Sequence, residues 1–370
     1  MNMKKSLTAL AVAAGLGAPF VAVADADVYG SVRIAALSVN DDAVAQTGVD
    51  EGVGLFSPAS RLGFRGEEDI GGLTAFAHYE LGINATSMSI AGSDRLSYVG
   101  LRGAFGEVQG GRVWSAWYDY IGWTTDRSWF WGGTGYYGYT HSAVGALGIQ
   151  GVNVGPTTRS SNTLKYTYGA GGYGTDPFTF SVEAQMDGSA NNGVADGTTI
   201  GTTTGGSAIE SDSQLFDILT VAGQGTFGDF TVGLAHRVTN NATDPSGSEP
   251  SQTAVSFRWD PSAPFYIGAI YSQADRDISG SGDSPSFFEV LGTMDFGGGL
   301  SGQLGLSTSD MDLAGTNGAG DTDGVFLQLN QALSSRTNVF GELQSLSIDG
   351  GNVGDDEDPM LLMVGMEHSF

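Results

Sequence analysis

None of the 370 residues is cysteine, which removes disulfides and thiolate metal ligands at once. Lysine is nearly as scarce. Beyond Lys4 and Lys5 it occurs only at Lys165, and the other twelve cations are arginine. These 15 basic residues stand against 41 Asp and Glu, a formal net charge of −26. So acidic a chain lacks the basic face that phosphate contacts require, and nucleic acid is excluded as a partner. Proline is sparse at 10 residues, whereas glycine reaches 59. Glycine and acid together could signal disorder, but 19 Phe, 13 Tyr and 6 Trp argue for a folded chain.

Long uncharged apolar runs are confined to the first 24 residues. There, Met1-Asn2-Met3-Lys4-Lys5 precedes an apolar stretch from Leu7 that closes on Ala22-Val23-Ala24. This basic, apolar, small-residue succession is that of a secretory leader cleaved after Ala24. A retained helical span is the competing reading, and Gly15, Gly17 and Pro19 count against it. The expected mature domain is residues 25–370, with 13 basic and 41 acidic residues and a formal charge of −28. Without a helical span, a membrane crossing has to use strands.

Strands are what the pattern shows. From Pro359 to Phe370, Met360, Leu362, Val364, Met366, His368 and Phe370 share one face, because strand side chains alternate with period 2. A final strand of this kind is useful where it must pair with the first and remove both sheet edges. Segments of about ten residues, the length of a tilted membrane strand, repeat the alternation. Phe178, Phe180, Val182, Ala184 and Met186 oppose Thr179, Ser181, Glu183 and Gln185. Phe230, Val232 and Leu234 oppose Thr231, Gly233 and Arg237, and Val325, Leu327, Leu329 and Leu333 oppose Gln328 and Asn330. A mean hydropathy near zero (−0.04) suits strands that are half apolar.

Connectors fall into two alternating sizes. Short ones include Asp69–Gly72, Phe105–Glu107, Phe227–Asp229, Asp260–Ala263, Phe296–Gly299 and Ser334–Arg336. Long, acidic, Gly/Ser/Thr/Asn-rich ones run 40–60, 84–93, 116–160, 187–213, 240–251, 276–285, 310–323 and 349–358. Eight long loops imply eight hairpins and sixteen strands. The expectation is an all-β, antiparallel transmembrane β-barrel with short turns on one side and long loops on the other. A soluble sandwich would not sort its loops by size.

At this point the chain resembles the general Gram-negative bacterial porins, trimeric sixteen-stranded diffusion channels of the outer membrane. The resemblance covers residues 25–370. It is carried by Val28-Tyr29-Gly30-Ser31-Val32-Arg33, by Arg61 to Gly72 (RLGFRGEEDIGG), by Val99 to Gly103 with Phe105-Gly106, and by Gly110-Gly111-Arg112. Arg159 to Tyr166 (RSSNTLKY) and Val364 to Phe370 (VGMEHSF) complete it. It implies short periplasmic turns, extracellular loops, and a third loop, 116–160, folded into the lumen as a constriction. It further implies a basic wall of Arg33, Arg61, Arg65, Arg95 and Arg159 facing loop acids Asp119 and Asp126. Opposed charges across a wet gap would orient dipolar solutes. Phe370 would be the assembly signal read by the barrel assembly machinery, and the partners would be a homotrimer, outer-membrane lipid and lipopolysaccharide, and small hydrophilic solutes and ions.

One segment departs from the family. Many porins carry Pro-Glu-Phe-Gly-Gly-Asp at the tip of this loop, where Arg127-Ser128-Trp129-Phe130-Trp131-Gly132-Gly133-Thr134 stands here. Trp129, Phe130 and Trp131 either pack the loop against its surroundings or offer a stacking surface for sugars or aromatic solutes, which would make the channel substrate-selective. The wall arginines likewise have a plainer reading, pairing with acids inside a polar lumen; for Arg95 the alternation does not settle the face.

Asp310, Asp312, Asp321 and Asp323 could hold Ca²⁺ or Mg²⁺ through carboxylate oxygens, although no twelve-residue calcium loop is present and solvated loop tips explain them as well. No other cofactor is expected. An enzyme is not expected either: His78, His141, His236 and His368 are scattered, with no nucleophile elbow or His-Glu-x-x-His. The function implied is passive diffusion of ions and small hydrophilic solutes, with cation preference from the acidic mouth. The alternatives are the substrate-selective channel and, more distantly, an outer-membrane anchor or adhesin without an open pore.

Overall fold

The computed structural model describes residues 25–40, 52–87, 89–126, 158–169, 176–186, 199–202, 208–210, 216–239, 251–261, 264–275, 286–310, 319–351, 358 and 360–370. Its strands are β1 (Asp25–Val39), β2 (Gly52–Phe56), β3 (Arg61–Asp69), β4 (Thr74–Asn84), β5 (Ser89–Gly103), β6 (Gly106–Trp114), β7 (Arg159–Tyr168), β8 (Phe178–Met186), β9 (Thr199–Thr202) and β10 (Ala208–Glu210). They continue as β11 (Phe216–Phe227), β12 (Phe230–Thr239), β13 (Ser251–Trp259), β14 (Phe265–Asp275), β15 (Ser286–Gly297), β16 (Leu300–Asp310), β17 (Ala319–Ala332), β18 (Thr337–Gly351) and β19 (Met360–Ser369). A single-turn helix, α1 (Ala116–Tyr120), and a 3₁₀ turn (Gly122–Thr124) follow β6.

All but β9 and β10 belong to one antiparallel sheet that closes on itself, with β1 paired to β19 in the register Ser31↔Ser369 through Val39↔Leu361. Strands β2 and β3 are two pieces of one wall strand. Residues 35–39 of β1 pair with β2 and residues 25–31 pair with β3. At the break between them, Ser60 Oγ accepts from the Arg33 amide (2.8 Å) and donates to the Arg33 carbonyl (3.1 Å), so the ladder loses no partner. Counted together these pieces give the sixteen strands expected. The pair β9–β10 is a separate small hairpin inside the connector between β8 and β11.

Closure is local and tight. The amide of Gly30 donates to the Phe370 carbonyl (3.2 Å), and the Phe370 amide donates to the Gly30 carbonyl (3.1 Å). The Phe370 ring lies over the bare Cα of Gly30, where a Cβ would sit 2.6 Å from a ring carbon and 2.8 Å from the Arg61 carbonyl. A large ring can therefore cover the seam only because residue 30 has no side chain.

The two faces separate as the alternation predicts. Phe178, Val182, Leu234 and Val364 are 58%, 37%, 60% and 60% exposed on the outside, while Thr179, Glu183, Arg237 and Gln328 are buried inward. Polar side chains buried in a wall with an apolar exterior invert a soluble core, and that inversion suits lipid outside and water inside. The turns at one end use glycines with positive φ where the chain reverses: Gly71 and Gly72, Gly106, Gly228, and Gly297 to Gly299. At the other end one connector differs from expectation. The stretch 84–93 is not a long loop: Asn84 pairs with Ser89, and only 85–88 lie between β4 and β5. Its Asn, Thr, Ser and Gly residues read as loop, yet residues from Ser89 onward extend the β5 ladder, because strand pairing needs only backbone groups.

Substituting Gly30 by Val should overpack the seam, costing about 1–3 kcal/mol. A lower unfolding temperature in the gel heat-modifiability assay would register this, and a wild-type transition would show that the Phe370 contact is dispensable.

Candidate functional site

The third connector enters the barrel directly. Its neck is closed by the Ser115 amide donating to the Thr158 carbonyl (3.1 Å). Ser115 then caps α1, its Oγ accepting from the Tyr118 amide (3.0 Å), the role serine favours at a helix start. All five residues of α1 are buried, and Ala116, Trp117, Tyr118, Tyr120 and Ile121 form one apolar cluster with Ala222, Ala235, Ala254, Ile270 and Phe287 of the inner wall.

That wall is shaped for it. Ser181, Ala222, Ala235, Ala254 and Ser272 are successive cross-strand partners on β8, β11, β12, β13 and β14. Five small side chains in one pairing row leave a trough, and the aromatic residues of the loop fill it. Polar contacts fix the register. Ser256 Oγ donates to the Tyr120 carbonyl (2.8 Å), Tyr266 Oη donates to the Thr124 carbonyl (2.6 Å), and Tyr120 Oη meets Ser181 Oγ at 3.1 Å. Burial pushes the Tyr120 phenol above its ordinary value, so it remains neutral.

The electrostatic anchor is Lys165. Its Nζ donates to Asp119 Oδ2 (2.7 Å) and to the Trp114 carbonyl (2.8 Å), and the ion pair is nearly solvent-free, at 5% and 9% exposure. Glu183, directly across the ladder from Lys165, accepts the amide proton of Ala116 at the start of α1. A cation and two carboxylates therefore fasten the loop to β7 and β8.

The structure distributes the expected residues unevenly. Arg33 is buried and its Nε donates to Glu367 Oε1 (2.8 Å), an ion pair across the β1–β19 seam. Arg65 is 59% exposed, contacts Asp27 at 3.1 Å and lies over the Tyr29 ring, 5.4 Å from its centroid. Arg95 pairs with Glu80. Alternation could not place it because it is the bulged residue: Glu80 pairs with Leu96 and Leu81 with Asp94, so Arg95 is skipped and turned to the Glu80 side. Arg61 approaches Ser31 Oγ at 3.5 Å. Arg159 stacks on Trp114 at 4.2 Å, and Trp114 stacks on Tyr118 at 4.8 Å, so this arginine supports the loop neck.

Asp119 is the buried partner of Lys165, and Asp126 accepts from Tyr118 Oη (2.8 Å). Trp129, Phe130, Trp131 and Asp312 lie outside the described residues. Asp321 and Asp323 are on β17 and Asp310 ends β16; among the described residues no three His, Cys, Asp or Glu gather as a metal site.

Sequence reasoning passed over several participants. Arg102 holds Glu67 (3.1 Å) and Glu107 (3.6 Å). Tyr29 Oη donates to Glu80 Oε2 (2.7 Å) and meets His78 Nε2 at 2.5 Å, and His78 Nδ1 meets Tyr98 Oη at 3.0 Å. The trough residues carry no signal except being small on an inward face. Lys165 did carry one, as the lone lysine beyond Lys5.

A closed sixteen-stranded barrel, apolar outside and polar inside, with a connector fastened to its inner wall, is the architecture of an outer-membrane channel protein. The family model described as Gram-negative porin matches residues 6–351, and the chain belongs to that family. It is a protein of the bacterial outer membrane, and membership in a channel family sets an enzyme aside. The major outer membrane protein P.IB of Neisseria meningitidis serogroup B is 35% identical over 141 residues, 32% of this chain and 40% of that relative. The match thus spans well under half of the curated relative's length. Among solved structures, an anion-selective porin from Comamonas acidovorans aligns at 20% identity and TM-score 0.67, covering 94% of this chain and 100% of that one. Salmonella typhi OmpF in complex with daunomycin aligns at 18% identity and TM-score 0.68, covering 93% and 97%. OmpT of Vibrio cholerae, in a trimer form, aligns at 15% and 0.61, covering 94% and 100%. These likenesses speak for the fold.

Replacing Lys165 by Met should destabilise the barrel by about 3–5 kcal/mol, since it leaves buried Asp119 and Glu183 without their cation. Asp119→Asn should cost less, because Lys165 keeps Glu183. Urea titration of the refolded protein in detergent ranks the two, and equal costs would contradict the anchoring role of Glu183.

Proposed function

We propose that this chain forms a water-filled channel for passive diffusion of ions and small hydrophilic solutes, assembled as a homotrimer and preferring cations. The observation that carries the reading is α1 lying in its trough, which occupies one side of the lumen with the loop. Paired side chains furnish much of the wall opposite. Cation preference is supported by the charge ledger. Arg33, Arg65, Arg95 and Arg102 each meet a carboxylate, so much of the basic wall is compensated, whereas the chain as a whole remains strongly acidic. An excess of acid at the mouth raises local cation concentration. The trimer is supported by the fold shared with the trimer form of OmpT.

Planar-bilayer recording under a KCl gradient tests this. The expected result is current steps in threes with a reversal potential on the cation side. Preference should weaken between 0.1 and 1 M salt, as the screening length falls from about 10 Å to about 3 Å. An anion-side reversal would reject the selectivity, and a folded protein without conductance would reject the channel.

A further inference from the structure

Two glycines on the inner wall stand in the same relation to the loop. Gly233 on β12 pairs with Ser256, whose hydroxyl donates to the Tyr120 carbonyl. A Cβ at 233 would lie 2.6 Å from that same carbonyl and collide with the Ser256 hydroxyl. Gly268 on β14 repeats the arrangement one turn of loop further on. A Cβ there would collide with the Thr124 carbonyl and sit 2.8 Å from the hydroxyl of Tyr266, the donor to Thr124. In both places a bare Cα and a neighbouring hydroxyl together receive one loop carbonyl. Neither glycine has a positive φ, so backbone freedom does not explain them; contact does.

Both face inward, since Val232 and Leu234 beside Gly233 and Ile267 beside Gly268 are exposed on the outer face. The strands carrying them are hydrogen-bonded on both sides and cannot retreat. The loop atoms at risk are backbone carbonyls, which cannot swing aside as a side-chain tip would. An added methyl therefore has one outlet, displacement of the loop toward the barrel axis.

We propose that Gly233 and Gly268 are positioning residues that set the open width of the channel, by fixing how deeply the loop shoulder 116–126 sinks into the wall. This rests on the channel reading above. Single-channel conductance and the size of polyethylene glycol that still enters should both decrease in Gly233→Ala and in Gly268→Ala. Gly292→Ala, on β15 with nothing within 4 Å of its Cβ position, should match wild type in both. A purely structural role would lower unfolding temperature and leave the current and the size limit unchanged.

Wild-type conductance in both folded variants overturns the proposal, and so does increased conductance, which would mean that the loop is released rather than displaced. If neither alanine variant folds, Ser256→Ala removes one donor without adding volume. It should give noisier open current with brief substates, and a quiet wild-type current there also overturns the proposal. Failure of the channel reading is distinct, because wild type itself would then conduct nothing.

Discussion

Pairing every backbone N–H and C=O without help from water is the constraint on which the rest depends. Hydrocarbon offers no hydrogen bonds, and an unpaired group there costs several kcal/mol. The chain meets this with a ring of ladders that ends where it began, Ser31 against Ser369 and Gly30 against Phe370. Even the irregular stretch between β2 and β3 is repaired, by the Ser60 hydroxyl. Because the ring is closed, the outer face is free to be apolar throughout and the inner face must find its own polar partners.

The inner face divides into two regions with different chemistry. Across β1, β3, β4 and β5 the side chains are charged and aromatic, and they satisfy one another through Arg–carboxylate pairs and the Tyr29–His78–Tyr98 contacts. Across β8 and β11 to β14 one pairing row, Ser181, Ala222, Ala235, Ala254 and Ser272, is small, and this row receives the loop. Charge would be costly beneath Trp117 and Ile121, and bulk would leave α1 no room. Lys165 joins the two regions, since its ammonium binds an acid from the loop beside an acid from the wall.

Much of this was legible in the residues. Phe370 with the alternation before it announced a closing strand, and the sorting of connectors by size announced an even-numbered barrel. The details that escaped are those in which local pattern and three-dimensional placement part company. Arg95 sits on a bulge, and alternation fails by one residue wherever a strand carries an extra one. The stretch 84–93 is polar enough to read as a loop, but strands that rise beyond the membrane need not be apolar. Ala222, Ala235 and Ala254 are unremarkable singly; only the register places them side by side. Asp119 was expected to face solutes across a gap, and its partner turned out to be Lys165, 46 positions away in the chain.

The central claim is that the loop shoulder is part of the wall rather than an appendage in the lumen. Hydrogen exchange on the refolded protein tests it most directly, through peptides covering residues 115–126. The account predicts protection comparable with β7 and β8, because the amides of Tyr118, Asp119, Ile121, Thr124, Thr125 and Asp126 are bonded within the turns, those of Ser115 and Ala116 are bonded to Thr158 and Glu183, and the segment is packed against the trough. Exchange at the rate of an unstructured peptide, with the strands still protected, would contradict it.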